Sequence, residues 1–132
     1  MRGNKRSNTR PELIVRQMLH GSGYRYRLHA ENLPGKPDIV FAGRRCAILV
    51  NGCFWHQHDD PACPLRSRPR SNAVYWNAKL ARNVARDRAQ QIALQALGWR
   101  LLVVWECECR SPDRLASRLR SFLGPTALPK GK

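Results

Sequence analysis

Acidic residues are scarce in this chain of 132 residues. Nine aspartates and glutamates stand against 24 lysines and arginines, which gives a net charge of +15, and 19 of the basic residues are arginines. Arginine binds phosphate through a fork of donors and stacks on bases better than lysine does. The imbalance predicts a polyanion-binding protein, nucleic acid above all. A merely solubilising surface, or a protein of a membrane surface, is the weaker interpretation.

Long apolar runs are also absent. No segment approaches the roughly 20 apolar residues of a membrane span, and the basic N-terminus lacks the apolar core of a signal peptide. We therefore expect a cytoplasmic protein without membrane contact. Five cysteines without a secretion signal favour metal binding or buried thiols over disulfides. The length predicts one domain over residues 1–132, with flexible tails at 1–8 and 125–132.

The hydrophobic pattern predicts an α/β fold in the order α-β-β-β-α-β-α. Thr9, Pro11 and Glu12 have the spacing of a helix N-terminus with a capping box. A mixed sheet flanked by helices follows from this order, with room for a site at the open end of the central strands. The predicted elements are a helix after Thr9, strands at 24–29, 38–41 and 46–50, a helix over about 72–97, a strand at 99–106 and a helix from about 111.

Asp38 lies at the start of the second predicted strand, directly after a glycine-proline loop. In this element order, on a strongly basic chain, it resembles the metal-binding aspartate of the restriction-endonuclease-like fold. Phosphodiester cleavage uses such a carboxylate to hold Mg²⁺. That fold usually continues with an acid and a lysine on the third strand, which here reads CAILVN. The missing groups must come from the segment that follows, 51–65, or the protein binds DNA without cutting it.

Segment 51–65, NGCFWHQHDDPACPL, contains a candidate zinc site. Cys53, His58 and Cys63 are five residues apart, and Cys107 after the last strand offers a fourth soft ligand. Three cysteines and a histidine form an ordinary structural zinc set. Buried thiols with a surface histidine are the competing interpretation. The residues that could replace one of these ligands are Asp59, Asp60 and Cys109.

His56 is the candidate catalytic residue of the same segment. It lies two residues from His58, so on extended backbone the two side chains face opposite sides. Histidine can activate water near neutral pH when a carboxylate orients its other nitrogen. Asp87 on the long helix could be that carboxylate, although a helix aspartate paired with a neighbouring arginine is the simpler interpretation. The aromatics beside arginine-rich stretches are either core residues or wedges between bases: Phe54, Trp55 and Trp76.

Four segments together resemble the very-short-patch-repair (Vsr) mismatch endonucleases. They are PGKPDIVF, NGCFWHQH, YWNAKLARNVARDR and GWRLLVVWEC, and the likeness extends in order from about Thr9 to Arg110. The resemblance implies a strand-specific nicking enzyme with a variant restriction-endonuclease-like fold, a structural zinc ion and a catalytic Mg²⁺. It implies incision next to the thymine of a T:G mismatch in double-stranded DNA, by a monomer of the bacterial nucleoid, with mismatch-repair proteins as possible partners.

The resemblance also implies individual roles. Asp38 matches the metal-binding aspartate, and Val50 stands where a backbone carbonyl binds the metal. His56 matches the catalytic histidine and Asp87 its carboxylate partner, while Glu12 matches a glutamate that hydrogen-bonds water on the metal. The remaining matches are the zinc ligands and the intercalating aromatics: Cys53, His58, Cys63 and Cys107 for zinc, and Phe54, Trp55 and Trp76 for intercalation.

Two positions depart from the family pattern. Asn51 stands where a histidine commonly precedes GCFWH. Asparagine can hydrogen-bond water or phosphate but cannot shuttle a proton near pH 7, so we expect a slower turnover rather than a loss of cleavage. Cys63 follows the histidines at a longer spacing than is usual in the family.

Overall fold

The secondary structure follows the predicted order. The computed structural model describes residues 9–53, 56, 63 and 73–124, so both predicted tails lie outside the described residues. The α-helices are α1 (Arg10–Gly21), α2 (Ala73–Ala96) and α3 (Pro112–Leu123). The strands are β1 (Arg27–Leu28), β2 (Ile39–Phe41), β3 (Cys46–Asn51) and β4 (Arg100–Trp105). A 3-10 helix, Glu106–Arg110, which the pattern did not predict, joins β4 to α3.

Helix α1 begins where the threonine-proline-glutamate spacing predicts. The Thr9 hydroxyl accepts a hydrogen bond from the Glu12 N–H at 3.4 Å, and a proline occupies the first turn. This cap satisfies one of the N–H groups that a helix start leaves without a partner in the helix. The helix buries Val15 and Leu19 together with Glu12. A carboxylate is thereby carried on the buried side of α1.

The four described strands form one mixed sheet in the order β1-β2-β3-β4. β1 pairs antiparallel with β2, and β2 pairs antiparallel with β3, where Ile39 faces Ile48. β3 and β4 are parallel, with Asn51 level with Trp105. Parallel neighbours need a long crossover, and α2 lies in that connection. β4 was predicted to be buried, but only Val104 in it is, because in the described sheet β4 has a partner on one side only.

The first predicted strand is shorter than its alternating pattern indicates. It was predicted over 24–29 and is observed only at Arg27–Leu28. Tyr24 is instead a buried anchor, since its ring packs edge-on against Phe41 and its hydroxyl donates to the carbonyl oxygen of Gly124. His29, the residue directly after β1, has a φ of 50°. Tertiary packing therefore overrides the local β pattern.

The main core lies between the sheet and the pair α1 and α3. Leu80 and Leu94 of α2 are fully buried outside this cluster, and α2 packs against β4. The helices therefore cover both faces of the sheet, as expected for an α/β fold. The buried residues of the main cluster are Val15, Leu19, Tyr24, Ile39, Phe41, Cys46, Ile48, Val104, Leu115, Leu119 and Leu123.

Candidate active site and metal centre

The residues that can bind a metal ion or take part in a reaction lie together at one edge of the sheet, where strands end. The parallel strands β3 and β4 end level with each other, and the antiparallel β2 begins at that same edge. In open α/β sheets, the ends of parallel strands are where ligands usually bind. Asp38 precedes β2 directly, Asn51 ends β3, and Cys53 and Cys107 follow the ends of β3 and β4. The topology thus brings distant parts of the chain to one place.

Asp38 is held against the backbone of β3. Its Oδ2 accepts a hydrogen bond from the Val50 N–H at 2.7 Å. Burial raises the pKa of Asp38 from 3.8 to about 6, opposed by the Val50 hydrogen bond and by the nearby imidazoles of His29 and His56. In an extended strand the N–H and C=O of one residue point to the same side. The Val50 carbonyl therefore points to the same side of β3 as its N–H, toward Asp38.

Glu12 and His29 stand beside Asp38. The Glu12 side chain is almost completely buried and lies 2.8 Å from Nε2 of His29 and 3.5 Å from Nη1 of Arg16. One ligand atom from each of Glu12, His29 and Asp38 lies within 4.8 Å of the others. Two carboxylates and an imidazole at this separation can surround a divalent cation. This donor set fits a metal of the kind that phosphodiester cleavage uses.

His56 and Asp87 form a hydrogen-bonded pair between the end of β3 and the middle of α2. Nδ1 of His56 donates to Oδ2 of Asp87, and the main-chain N–H of His56 donates to the Gly52 carbonyl at 3.1 Å. Both side chains are partly exposed, at 30% and 19%. A carboxylate on Nδ1 leaves Nε2 as the nitrogen that can exchange a proton with water. His56 also lowers the pKa of Asp38 by its charge, so the pair belongs to the same site.

Asn51 ends β3 and is 8% exposed. It lies between Val50, whose N–H bonds Asp38, and the segment that leads to His56. An amide at this place has both a donor and an acceptor. It can orient a polar ligand at the strand end, but it does not gain or lose a proton near pH 7.

A second group of possible ligands lies at the same edge. The Sγ atoms of Cys53, Cys63 and Cys107 lie within 4.8 Å of one another, and the Cys107 N–H points to Sγ of Cys53 at 3.4 Å. Cys53 and Cys107 meet because each stands two residues beyond Asn51 and Trp105, which are paired in the parallel register. Burial raises the pKa of both the Cys53 and the Cys107 thiol. A soft divalent ion would replace these protons.

Cys109 lies apart from this group of thiols. Its Sγ approaches the Pro11 carbonyl at 3.8 Å, and burial raises its pKa to about 11. Asp59 and Asp60, which could also serve as zinc ligands, lie outside the described residues, as does His58. Of the described candidates, it is therefore Cys107 that the geometry combines with Cys53 and Cys63.

The N-terminal end of α2 presents aromatic and basic side chains. Tyr75 and Trp76 are in edge-to-face contact at 5.3 Å, and Nζ of Lys79 lies about 6 Å from both ring centres. Tyr75 is 56% exposed. Trp76 and Asp87 are eleven residues apart, which places them on nearly the same stripe of the helix, about 16 Å apart. Phe54 and Trp55 lie outside the described residues.

The sequence patterns did not identify His29 as a candidate site residue. It belongs to an alternating segment that predicts a strand, and nothing local distinguishes it from a strand residue. Its position becomes apparent only once β1 pairs with β2 and α1 covers them. Tyr75 is a second residue of this kind, because only its exposure separates it from a core aromatic.

Exposed arginines are distributed over most of the described elements. Arg27 on β1, Arg45 before β3, Arg82 and Arg88 on α2, and Arg118 on α3 are all exposed. Such a surface attracts a polyanion through its phosphates. Among the helices that the structure describes, none has the length and apolar character needed to cross a membrane.

Comparison with known proteins connects this geometry to DNA cleavage. Residues 1–61 match the family model of the DNA mismatch endonuclease Vsr. A type II nicking enzyme of Xanthomonas oryzae pv. oryzae, V.XorIIP, is 50% identical over 119 residues, which cover 90% of this chain and 85% of the relative. The DNA mismatch endonuclease Vsr of Escherichia coli is 40% identical over 115 residues, covering 87% of this chain and 72% of the relative.

A further similarity, to the type II nicking enzyme V.NmeAIP of Neisseria meningitidis, covers 87% of this chain and 80% of the relative at 36% identity. The similarities to these three relatives span most of the chain rather than one motif. They include the segments that supply Asp38, His56, Asp87 and Cys107.

Proposed function

This chain belongs to the Vsr family of DNA mismatch endonucleases and is a DNA endonuclease, and we propose that it nicks one DNA strand next to the thymine of a T:G mismatch. The observation that carries the cleavage part of the proposal is the hydrogen-bonded His56–Asp87 pair beside the partly buried Asp38. A hydrolytic nick needs a base or water-positioning group next to a metal-binding carboxylate. These residues supply both at one edge of the sheet.

Asp38 and the Val50 carbonyl are the groups that would hold Mg²⁺, and Glu12, which the resemblance assigns to water on the metal, lies close enough to Asp38 for its carboxylate to be a ligand as well. Their oxygens are the ligands this ion prefers. When bound, the ion supplies charge neutralisation at the phosphate and makes water more acidic. The chain's own contribution is to hold Asp38 in place through the Val50 N–H and to keep the Glu12 carboxylate buried next to it.

His56 would take a proton from the attacking water, or position that water. Asp87 keeps the imidazole in one orientation and in the form that has a proton on Nδ1, so that Nε2 accepts. Asn51 would hydrogen-bond water or phosphate without exchanging a proton. We expect cleavage to proceed with one histidine, at a lower rate than with two.

Zinc is proposed for the thiol group of Cys53, Cys63 and Cys107, with His58 as the fourth ligand. Such an ion contributes folding energy. It would fix the segment after β3 to the end of β4, and His56 lies within that segment. The zinc ion would therefore determine where the catalytic histidine stands.

DNA contact is proposed for the exposed arginines and the aromatic end of α2. Trp76 would insert or stack beside the mismatch, together with Phe54 and Trp55, and Lys79 next to its ring adds positive charge. We also propose a restriction-endonuclease-like fold, which the mixed sheet flanked by helices supports. The protein would act as a monomer on the bacterial nucleoid, and a single site suits the cutting of one strand. Mismatch-repair proteins would then receive the nicked product.

A nickase linked to a type II system is the second candidate function. Type II nicking enzymes are among the relatives, one of them at 50% identity, and Asn51 departs from the pattern expected of mismatch endonucleases. Such an enzyme would share the site and differ in the DNA that it recognises. Recognition depends on groove contacts and DNA deformability rather than on the cleavage residues.

The test offers end-labelled duplexes with a T:G mismatch or a T:A pair at the same position, with Mg²⁺. Asp38→Ala and His56→Ala are the inactive controls. We expect a nick in the thymine-containing strand of the mismatched duplex only. Equal nicking of both duplexes would refute mismatch recognition and favour the second candidate function, a nickase that recognises other DNA. Salt-sensitive binding without a nick under any divalent metal would refute the nuclease activity and indicate a DNA-binding protein.

A further inference from the structure

His29 takes part in the carboxylate site but has no role in the proposed mechanism. Its Nε2 lies 2.8 Å from Oε2 of Glu12, and both lie within 4.8 Å of a carboxylate oxygen of Asp38. Glu12 comes from α1, His29 from the end of β1 and Asp38 from the start of β2. Three separate elements therefore place one possible ligand atom each in the same small volume.

The backbone of His29 is held in an uncommon conformation. Its φ is 50°, in the left-handed region that residues other than glycine seldom occupy. The His29 N–H donates to the Asp38 carbonyl at 2.9 Å, and the Ala30 N–H donates to the Pro37 carbonyl at 3.1 Å. These bonds extend the β1–β2 pairing and fix His29 opposite Asp38. Lys36 and Arg45 adopt the same conformation, so the backbone here fixes the position of His29 and does not by itself indicate a function.

The separations suit neighbouring ligands of one ion. For an octahedral ion with ligand bonds of about 2.1 Å, adjacent ligand atoms lie about 3.0 Å apart and opposite ones about 4.2 Å. The 2.8 Å between Nε2 of His29 and Oε2 of Glu12, which are hydrogen-bonded to each other, is close to the adjacent separation, and a carboxylate oxygen of Asp38 lies within 4.8 Å of both atoms.

We propose that His29 is a direct ligand, through Nε2, of the divalent cation that Glu12 and Asp38 hold. The inference rests on the proposed function only in assigning a cation to this site. An imidazole nitrogen makes the site a mixed nitrogen and oxygen site, which first-row transition ions such as Mn²⁺ accept more readily than Mg²⁺ does. Mg²⁺ prefers oxygen ligands and retains its waters. The site would therefore bind Mn²⁺ in preference to Mg²⁺.

Pulsed electron paramagnetic resonance of Mn²⁺ added to the zinc-loaded full chain tests the proposal without DNA. A directly bound imidazole couples the ¹⁴N nucleus to the Mn²⁺ electrons. We expect this coupling in the wild type and in His56→Gln, and its loss in His29→Gln. His29→Asn provides a second variant, since asparagine tolerates the left-handed backbone. The exposed His20→Gln on α1 is the matched control and should keep the coupling.

Competition between Mn²⁺ and Mg²⁺ separates ligation from positioning. If His29 is a ligand, His29→Gln lowers Mn²⁺ affinity about tenfold or more, while Mg²⁺ affinity changes far less. If His29 only positions Glu12, both affinities fall alike. Equal losses, or a wild type without nitrogen coupling, would overturn the proposal.

The outcome can be distinguished from a failure of the proposed function. If His29 gives nitrogen coupling but the protein does not nick a T:G mismatch, the proposed substrate is refuted and His29 is still a metal ligand. A mismatch-specific nick without nitrogen coupling would do the reverse. Asp38→Asn, which removes one charged ligand, should weaken binding of both ions.

Discussion

The Asp38 carboxylate accepts a hydrogen bond from the Val50 N–H at 2.7 Å, across the junction of two antiparallel strands. This single bond holds the acid against the strand that leads to Asn51 and His56. It compensates only part of the cost of burying a carboxylate, since the pKa of Asp38 still rises to about 6. The charged form of this residue is therefore maintained at the expense of stability.

Asp38→Asn should stabilise the metal-free protein at pH 8. The rise in pKa from 3.8 to about 6 corresponds to about 3 kcal/mol of destabilisation by the charged form. That cost is absent below about pH 4, where folded and unfolded chains are both protonated, and it develops fully above about pH 6. Urea denaturation of both proteins at pH 4 and pH 8 measures the difference. The exposed Glu31→Gln serves as a control, and equal stability at pH 8 would contradict the expectation.

Asp87→Asn should reduce nicking while leaving the fold intact. The amide no longer fixes the proton on Nδ1 of His56, so Nε2 is no longer held as the acceptor. Loss of a positioned general base lowers rates by about 10²–10⁴-fold. Single-turnover nicking rates measured from pH 6 to pH 9 test this. Asp113→Asn, an exposed carboxylate on α3, should retain the wild-type rate; an unchanged rate in Asp87→Asn would remove the pair from the mechanism.

Cys107→Ser and Cys109→Ser should behave differently although they are two residues apart. Cys107 lies with Cys53 and Cys63, whereas Cys109 approaches the Pro11 carbonyl. We expect about one equivalent of zinc in Cys109→Ser and a large loss in Cys107→Ser. A ligand at a thousandfold its dissociation constant stabilises a fold by about 4 kcal/mol, so Cys107→Ser should also lower the melting temperature. Metal analysis and thermal unfolding of both variants measure these effects. Similar zinc contents in Cys107→Ser and Cys109→Ser would refute the proposed zinc site.

Trp76→Ala and Arg82→Ala should weaken DNA binding in two distinct ways. Stacking on a base is worth about 1–3 kcal/mol and does not depend on salt. A phosphate contact instead changes the slope of affinity against salt concentration by about one. We therefore expect Trp76→Ala to weaken binding with an unchanged slope, and Arg82→Ala to reduce the slope. Titrations at several salt concentrations measure both; identical slopes in all three proteins would exclude Arg82 as a phosphate contact.

Sequence patterns predicted the elements well where local and tertiary preferences agree. α1 begins at its threonine cap, and β3 appears at its apolar run. The pattern failed at 24–29, where only Arg27 and Leu28 pair with the three-residue β2, and Tyr24 packs edge-on against Phe41 outside the strand. It also missed the 3-10 helix at Glu106–Arg110, which is too short to have a periodic signal.

By itself, the sequence determined the polyanion-binding charge, the order of the elements and most of the candidate residues, because charge, periodicity and motif spacing are properties of the chain alone. The expected groupings around Cys53 and His56 left alternatives open, and only the tertiary structure decided which of those residues meet. The parallel register of β3 and β4 brings Cys107 to Cys53, and α2 brings Asp87 to His56. His29 joined the carboxylates for the same reason: its neighbours Glu12 and Asp38 are distant in sequence, and only the pairing of β1 with β2 under α1 puts their ligand atoms within reach.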